Sequence, residues 1–122
     1  MYDWYLGAKR LINEAGFNFV ADFHVFARYV IAIDLAMYRP QDEQEAMNAL
    51  MRTLTDMTTK KGFSEYRTHV SLMDDVARHY NFNDHASARL TTSIKDVLDP
   101  KGILSPGKQG VWNSKGPNPA KL

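Results

Sequence analysis

Midway along the chain, Glu65-Tyr66-Arg67-Thr68-His69 sets a carboxylate, a phenol, a guanidinium, a hydroxyl and an imidazole in one run. Such a run can be a strand-like connector between two helices or the polar wall of a pocket. In an extended segment, however, neighbouring side chains point to opposite sides. Spacing alone therefore favours a buried Tyr66 beside a solvent-facing Arg67. The remaining chemistry-bearing residues form no familiar constellation. His24, His69, His79 and His85 stand at no metal-ligand spacing, and no HExxH pair occurs. Arg28 and Asp34 share a strand face by alternation, as a cross-strand ion pair or as the lining of a cavity. The run Ser105-Pro106-Gly107-Lys108-Gln109-Gly110 has glycines and a lysine but lacks the Ser/Thr and the strand–loop–helix setting of a phosphate loop.

Composition narrows the class of protein. The 122 residues suffice for one small domain, and 44% hydrophobic with 24% charged residues describes a folded chain. Fifteen basic residues against fourteen acidic ones give a net charge of +1, so no bulk attraction to nucleic acid or to an anionic membrane is expected. The absence of cysteine removes disulfides, thiolate catalysis and cysteine zinc sites. No apolar run approaches the ~20 residues that span a bilayer, and MYDWYLGAKRLINEAG lacks the layout of a secretory signal. These features lead us to expect a soluble, cytoplasmic protein without a metal centre.

The elements that must position the central run follow from periodicity. Trp4, Ala8, Leu11, Ile12 and Ala15 recur at helical spacing over 2–15, with Gly16 as the stop. Residues 17–26 and 28–38 alternate with period two and form an antiparallel hairpin. Phe17, Phe19, Ala21, Phe23 and Val25 make one row; Tyr29, Ile31, Ile33, Leu35 and Met37 make another. After Arg39-Pro40, a helix over 41–61 carries an apolar stripe of Ala46, Leu50, Met51, Leu54 and Met57, with Gly62 ending it. A short helix is expected over 69–80 with Val70, Met73, Val76 and Ala77 inward. Another is expected over 84–98, capped by Asn83-Asp84, with Ala88, Thr91, Ile94, Val97 and Leu98 inward. The Pro/Gly-rich tail from Asp99 ends loosely. The fold class is α+β. Two strands make a weak sheet, so either a further strand escapes the period-two reading or the hairpin completes a sheet supplied elsewhere.

Two segments, EYRTHVSLMDDVARHYNFND and IKDVLDPKGILSPGKQGVW, resemble the C-terminal end of the vanillyl-alcohol oxidase and p-cresol methylhydroxylase flavoproteins. The pattern Asp99-Pro100-x-Gly102-Ile103-Leu104-x-Pro106-Gly107-Lys108 is shared widely among FAD-linked oxidases. The Tyr66-Arg67-Thr68 step is narrower and points to the phenol-oxidising branch. The resemblance implies that 1–62 is part of a cap (substrate) domain on an antiparallel sheet. It implies that 63–122 is a return segment packing on an FAD-binding domain contributed by an N-terminal half or subunit.

The resemblance also implies roles. Tyr66 and Arg67 would contact the phenolic oxygen and act catalytically, with Glu65 and Thr68 beside them at the substrate. Arg28 and Lys108 are the candidates for contact with FAD, with a plain surface lysine as the other reading of Lys108. Where some members attach FAD through a histidine, this chain has Ile31 or Ala32; other members attach it through a tyrosine, and Tyr29 is nearby; non-covalent FAD is the expectation for the parent enzyme. Trp112 would anchor the tail on the FAD-binding domain. The implied reaction is hydride transfer from the para side-chain carbon of a phenol to flavin, in a homo-oligomer, with the chain inactive without the FAD domain. Two other functions stay open: a non-enzymatic α+β interaction module, and part of a 2-hydroxy-acid FAD oxidase.

Overall fold

The structure is a computed structural model and describes residues 1–117. It divides into two compact units, Met1–Tyr66 and a second that begins at Arg67. The first holds helix α1 (Tyr2–Glu14), strands β1 (Asn18–Val25) and β2 (Val30–Met37), and helix α2 (Gln44–Lys60). The second holds a short 3-10 turn at Val70–Leu72, helices α3 (Met73–Ala77) and α4 (Phe82–Leu98), and a 3-10 turn at Lys108–Gly110. The α+β class and the helix–hairpin–helix order follow the sequence pattern. Among the described residues no helix is long and apolar enough to cross a membrane.

In the first unit, α1 buries Trp4, Ala8 and Ile12 at the expected spacing, and Gly16 leaves the helix at φ +85. Ile12, Phe17, Met47 and Leu50 form the core, with Leu11, Phe19, Ala36, Tyr38, Met51 and Leu54 packed against it. Trp4 closes the other end of the helix pair: its indole N–H donates to Thr58 Oγ1 at 2.9 Å, and its ring meets Phe63 edge-on. On α2 the buried residues are Met47, Leu50 and Thr55, while Ala46, expected inward, is exposed. The buried Thr55 is tolerable because its hydroxyl donates to the Met51 carbonyl.

The hairpin pairs Asn18 with Met37 through Val25 with Val30. The Phe26 N–H donates to the Tyr29 carbonyl, and the two rings stack at 4.7 Å. Neither Ala27 nor Arg28 takes a positive φ, so the turn is of neither primed type. Because paired residues share a face, the Phe19–Ala21–Phe23 row lies with Ala36, Asp34 and Ala32. Tyr5 of α1 packs on both Phe19 and Phe23. The greasier row of β2 is thus the outer one: Ile33, Leu35 and Met37 are exposed, next to Val20.

In the second unit, the expected 69–80 helix is broken. His69 caps the first 3-10 turn by accepting from the Ser71 N–H, and α3 begins only at Met73. Leu72, Met73 and Val76 are buried, whereas Val70 is exposed. Asn83 and Asp84 do not cap α4 through their side chains. They and His85 take left-handed backbone angles, and the Arg89 guanidinium clamps the Asn83 carbonyl and the Asp84 carboxylate. None of the residues expected inward on α4 is buried, and Ile94, Val97 and Leu98 are exposed.

The described part of the tail is well held rather than loose. The Asp99 carboxylate accepts from the Ile103 and Leu104 N–H groups and from Lys95 Nζ, which also donates to the Leu104 carbonyl. Asn113 is buried against Gly102, and the Ser114 N–H donates to Asp96 on α4. Residues 118–122, the end of the expected return segment, lie outside the described residues.

Candidate functional site

The connector after α2 carries the central run, and it bends at Tyr66–Arg67 instead of extending. The two-sided alternation expected of a strand therefore does not apply. Tyr66 is 63% exposed, so the plain expectation of a buried tyrosine fails. Glu65 and Arg67 are exposed, Thr68 is half-buried, and His69 is taken up by its cap to Ser71. Tyr66 ends the first unit and Arg67 begins the second.

The first unit contains a pair of carboxylates that the sequence did not bring together. Asp34 lies on the helix-facing side of β2, opposite Ala21, on the face that carries Phe19 and Phe23. Although the residue retains solvent contact, crowding around its carboxyl removes hydration and pushes its pKa up to about 6. Glu65, exposed as a whole residue, is raised as well, by lost hydration around its carboxyl first and by the charge of Asp34 second. Alternation hinted at this: Asp34 is a charge between Ala32 and Ala36 on one strand face. What the sequence lacked was the fold that brings Glu65 within reach. Arg28 is not its partner. It lies exposed in the hairpin turn, and no ion pair joins it to Asp34 among the described residues.

Lys108 is exposed and borders a cleft of about 360 Å³ with Val70, Ser71, Asp74, Gly107 and Trp112. The Trp112 indole crosses Gly107 and donates to Asp74 Oδ1 at 2.8 Å. Trp112 is therefore held within its own unit, on α3. The cleft does not suit FAD by itself. Lys108 is the one cation on its lining, an aspartate lies beside it, and the turn at Gly107 leads only into the three-residue 3-10 turn Lys108–Gly110. Arg28 and Lys108 belong to different units, and both are exposed. The Pro/Gly pattern of the tail has a structural cause instead: Gly102 and Gly107 have φ +68 and +74 and lie against Asn113 and Trp112.

Comparison with known proteins places this arrangement. Residues 1–109 match the family described as FAD linked oxidases, C-terminal domain. The chain belongs to that family. The flavoprotein subunit of 4-cresol dehydrogenase (hydroxylating) from Pseudomonas putida is 32% identical over 107 residues, which cover 85% of this chain and 20% of that protein. The 4-ethylphenol oxidase from Gulosibacter chungangensis, solved as an isoeugenol complex, superposes with a TM-score of 0.84 at 35% identity, covering 93% of this chain and 22% of that one. The resemblance to the vanillyl-alcohol oxidase and p-cresol methylhydroxylase flavoproteins holds on sequence and on fold. This FAD-linked oxidase domain spans about a fifth of the length of the relatives it matches.

Proposed function

We propose that this domain is the cap and return part, 1–62 and 63–122, of an FAD-dependent oxidoreductase that oxidises para-substituted phenols by hydride transfer from the para side-chain carbon. The observation that carries the reading is the joint one: an FAD-linked oxidase domain whose relatives are named for 4-cresol and 4-ethylphenol, with Tyr66-Arg67 at an exposed bend. The rest of the flavoprotein binds FAD, which supplies the two-electron acceptor. In this chain, Arg67 and Tyr66 bind the phenolic oxygen. A phenol has a pKa of about 10, and a guanidinium with a second donor favours its anion. The anion raises electron density at the para position, which eases departure of hydride from the side-chain carbon. Glu65 and Thr68 line the approach, while Arg28 and Lys108 are left as contacts toward the cofactor.

The test is a full-length hybrid in which residues 1–109 replace the matching segment of the P. putida 4-cresol dehydrogenase flavoprotein subunit. Tyr66→Phe and Arg67→Ala in that hybrid should each lower kcat/KM for 4-cresol by about 10²-fold or more, the loss typical of an oxyanion donor. Unchanged kinetics with retained FAD would remove both residues from the site.

A further inference from the structure

We propose that Asp34 is a positioning residue for Tyr66, acting through Glu65 on the place where the connector after α2 delivers the phenol side chain; its consequence for binding rests on the function proposed above. The hairpin register puts Phe19, Ala21, Phe23 and Val25 of β1 on one face with Val30, Ala32, Asp34 and Ala36 of β2. Asp34 is the one charge in those two rows. Ala21 lies opposite it, and Ala32 and Ala36 lie on either side, so none of these neighbours has a side chain long enough to cover it. Phe19 and Phe23 stand at the diagonals. The Tyr5 ring bridges the two at centroid distances of 5.6 and 5.7 Å. The carboxylate thus has an alanine floor and aromatic walls.

The connector returns to this place. Gly62 turns the chain at φ +78, the Phe63 N–H donates to the Thr58 carbonyl, and the Phe63 ring meets Trp4 at 6.4 Å. Trp4 adjoins Tyr5 on α1, so Glu65, two residues beyond Phe63, comes within reach of Asp34. Both carboxyls lose hydration, and the charge of Asp34 acts on Glu65. The surrounding elements add no competing charge. Tyr5 of α1 packs on the phenylalanines, Lys9 one turn further is exposed, and α2 meets this face through Met47 and Leu50. Asp22 and His24 of β1 pair with each other at 3.0 Å on the opposite face. With Asp34 neutral, Glu65 rests over the alanines. With Asp34 charged, two like charges compete for one poorly hydrated place. Glu65 then moves toward water and carries the start of Tyr66 with it.

The experiment has two arms. In the 122-residue chain, the backbone amide of Tyr66 is followed by NMR from about pH 4.5 to 7.5. Its signal should titrate with the midpoint of Asp34, about 6. Asp34→Asn should abolish that transition and Asp34→Glu should keep it. Glu65→Gln, at an exposed residue, should abolish it too, and it decides the matter if Asp34→Asn does not fold. A response driven by His69 would survive Asp34→Asn. A Tyr66 signal that is flat, or that titrates equally in Asp34→Asn, overturns the proposal. In the full-length hybrid, 4-chlorophenol, which lacks a para side-chain carbon, is bound at both ends of the pH range and read by flavin absorbance. Its Kd should rise by about fivefold or more with pH, and should stay flat in Asp34→Asn. A pH-independent Kd in the parent hybrid overturns the positioning role. If Tyr66 titrates as expected but the hybrid binds no phenol, the Asp34–Glu65–Tyr66 coupling stands and the phenol reading falls.

Discussion

At the scale of single residues, the exposed bend at Tyr66–Arg67 and the carboxylates Asp34 and Glu65 answer to different physics. Tyr66 and Arg67 owe their interest to a motif that spacing alone read as structural, and the fold then removed the burial of Tyr66 on which that reading stood. Asp34 owes its interest to where the hairpin register puts it. Its raised pKa fixes a sign. The folded unit prefers the protonated acid, so Asp34 contributes most below its unfolded pKa near 4, and the contribution fades as pH rises toward about 6. Asp34→Asn should therefore raise Tm at pH 7 and flatten the pH 4–7 dependence of thermal unfolding. A variant as pH-dependent as the parent would assign the slope to another group. Glu65 responds with the same sign.

At the scale of elements, the tail is a hydrogen-bonded scaffold, and its glycines differ in cost. A Cβ at Gly107 would meet the Trp112 ring at 2.3 Å, in a backbone with φ +74, and Asp74 holds that ring. Gly107→Ala should cost more than about 2 kcal/mol, from left-handed strain plus overpacking. Gly16→Ala, at φ +85 in open space, should cost about 1 kcal/mol from strain alone. Denaturant melts of the two variants check the difference, and equal losses would refute it. Asp99 behaves oppositely to Asp34. Hydrogen bonding from Lys95, and then from the Leu104 and Ile103 amides, outweighs burial and holds its pKa at about 2. Its contribution is complete above about pH 4 and is lost as pH falls through about 2. Asp99→Asn should lower Tm at pH 7, with the deficit closing toward pH 2. The helix stops at Gly16 and Gly62 were legible because a glycine's left-handed backbone acts locally. The broken helix at 69–80 was not, because the His69–Ser71 cap and the burial of Leu72 set a different phase from the Val70 row.

At the scale of the whole molecule, the domain spans about a fifth of the length of the relatives it matches, and it carries exposed apolar rows on β2 and α4. The purified 122-residue chain is expected to show no flavin absorbance and no turnover of 4-cresol. Stoichiometric FAD in the chain alone would mean that it holds a cofactor cradle of its own. The sequence by itself determined the α+β class, the hairpin between two helices, the core row of α1 and the FAD-linked oxidase motif, because each is written in local period or in a short run of turn residues. It also supplied Tyr66-Arg67 as a candidate. Only the tertiary structure decided which side of each amphipathic element is covered. Periodicity marks an apolar row but not its partner, and here the rows Ile33–Leu35–Met37 on β2 and Leu90–Ile94–Val97–Leu98 on α4 face outward. The same limit hid the Asp34–Glu65 pair and the Trp112–Asp74 anchor, since both join residues far apart in the chain that only folding brings together.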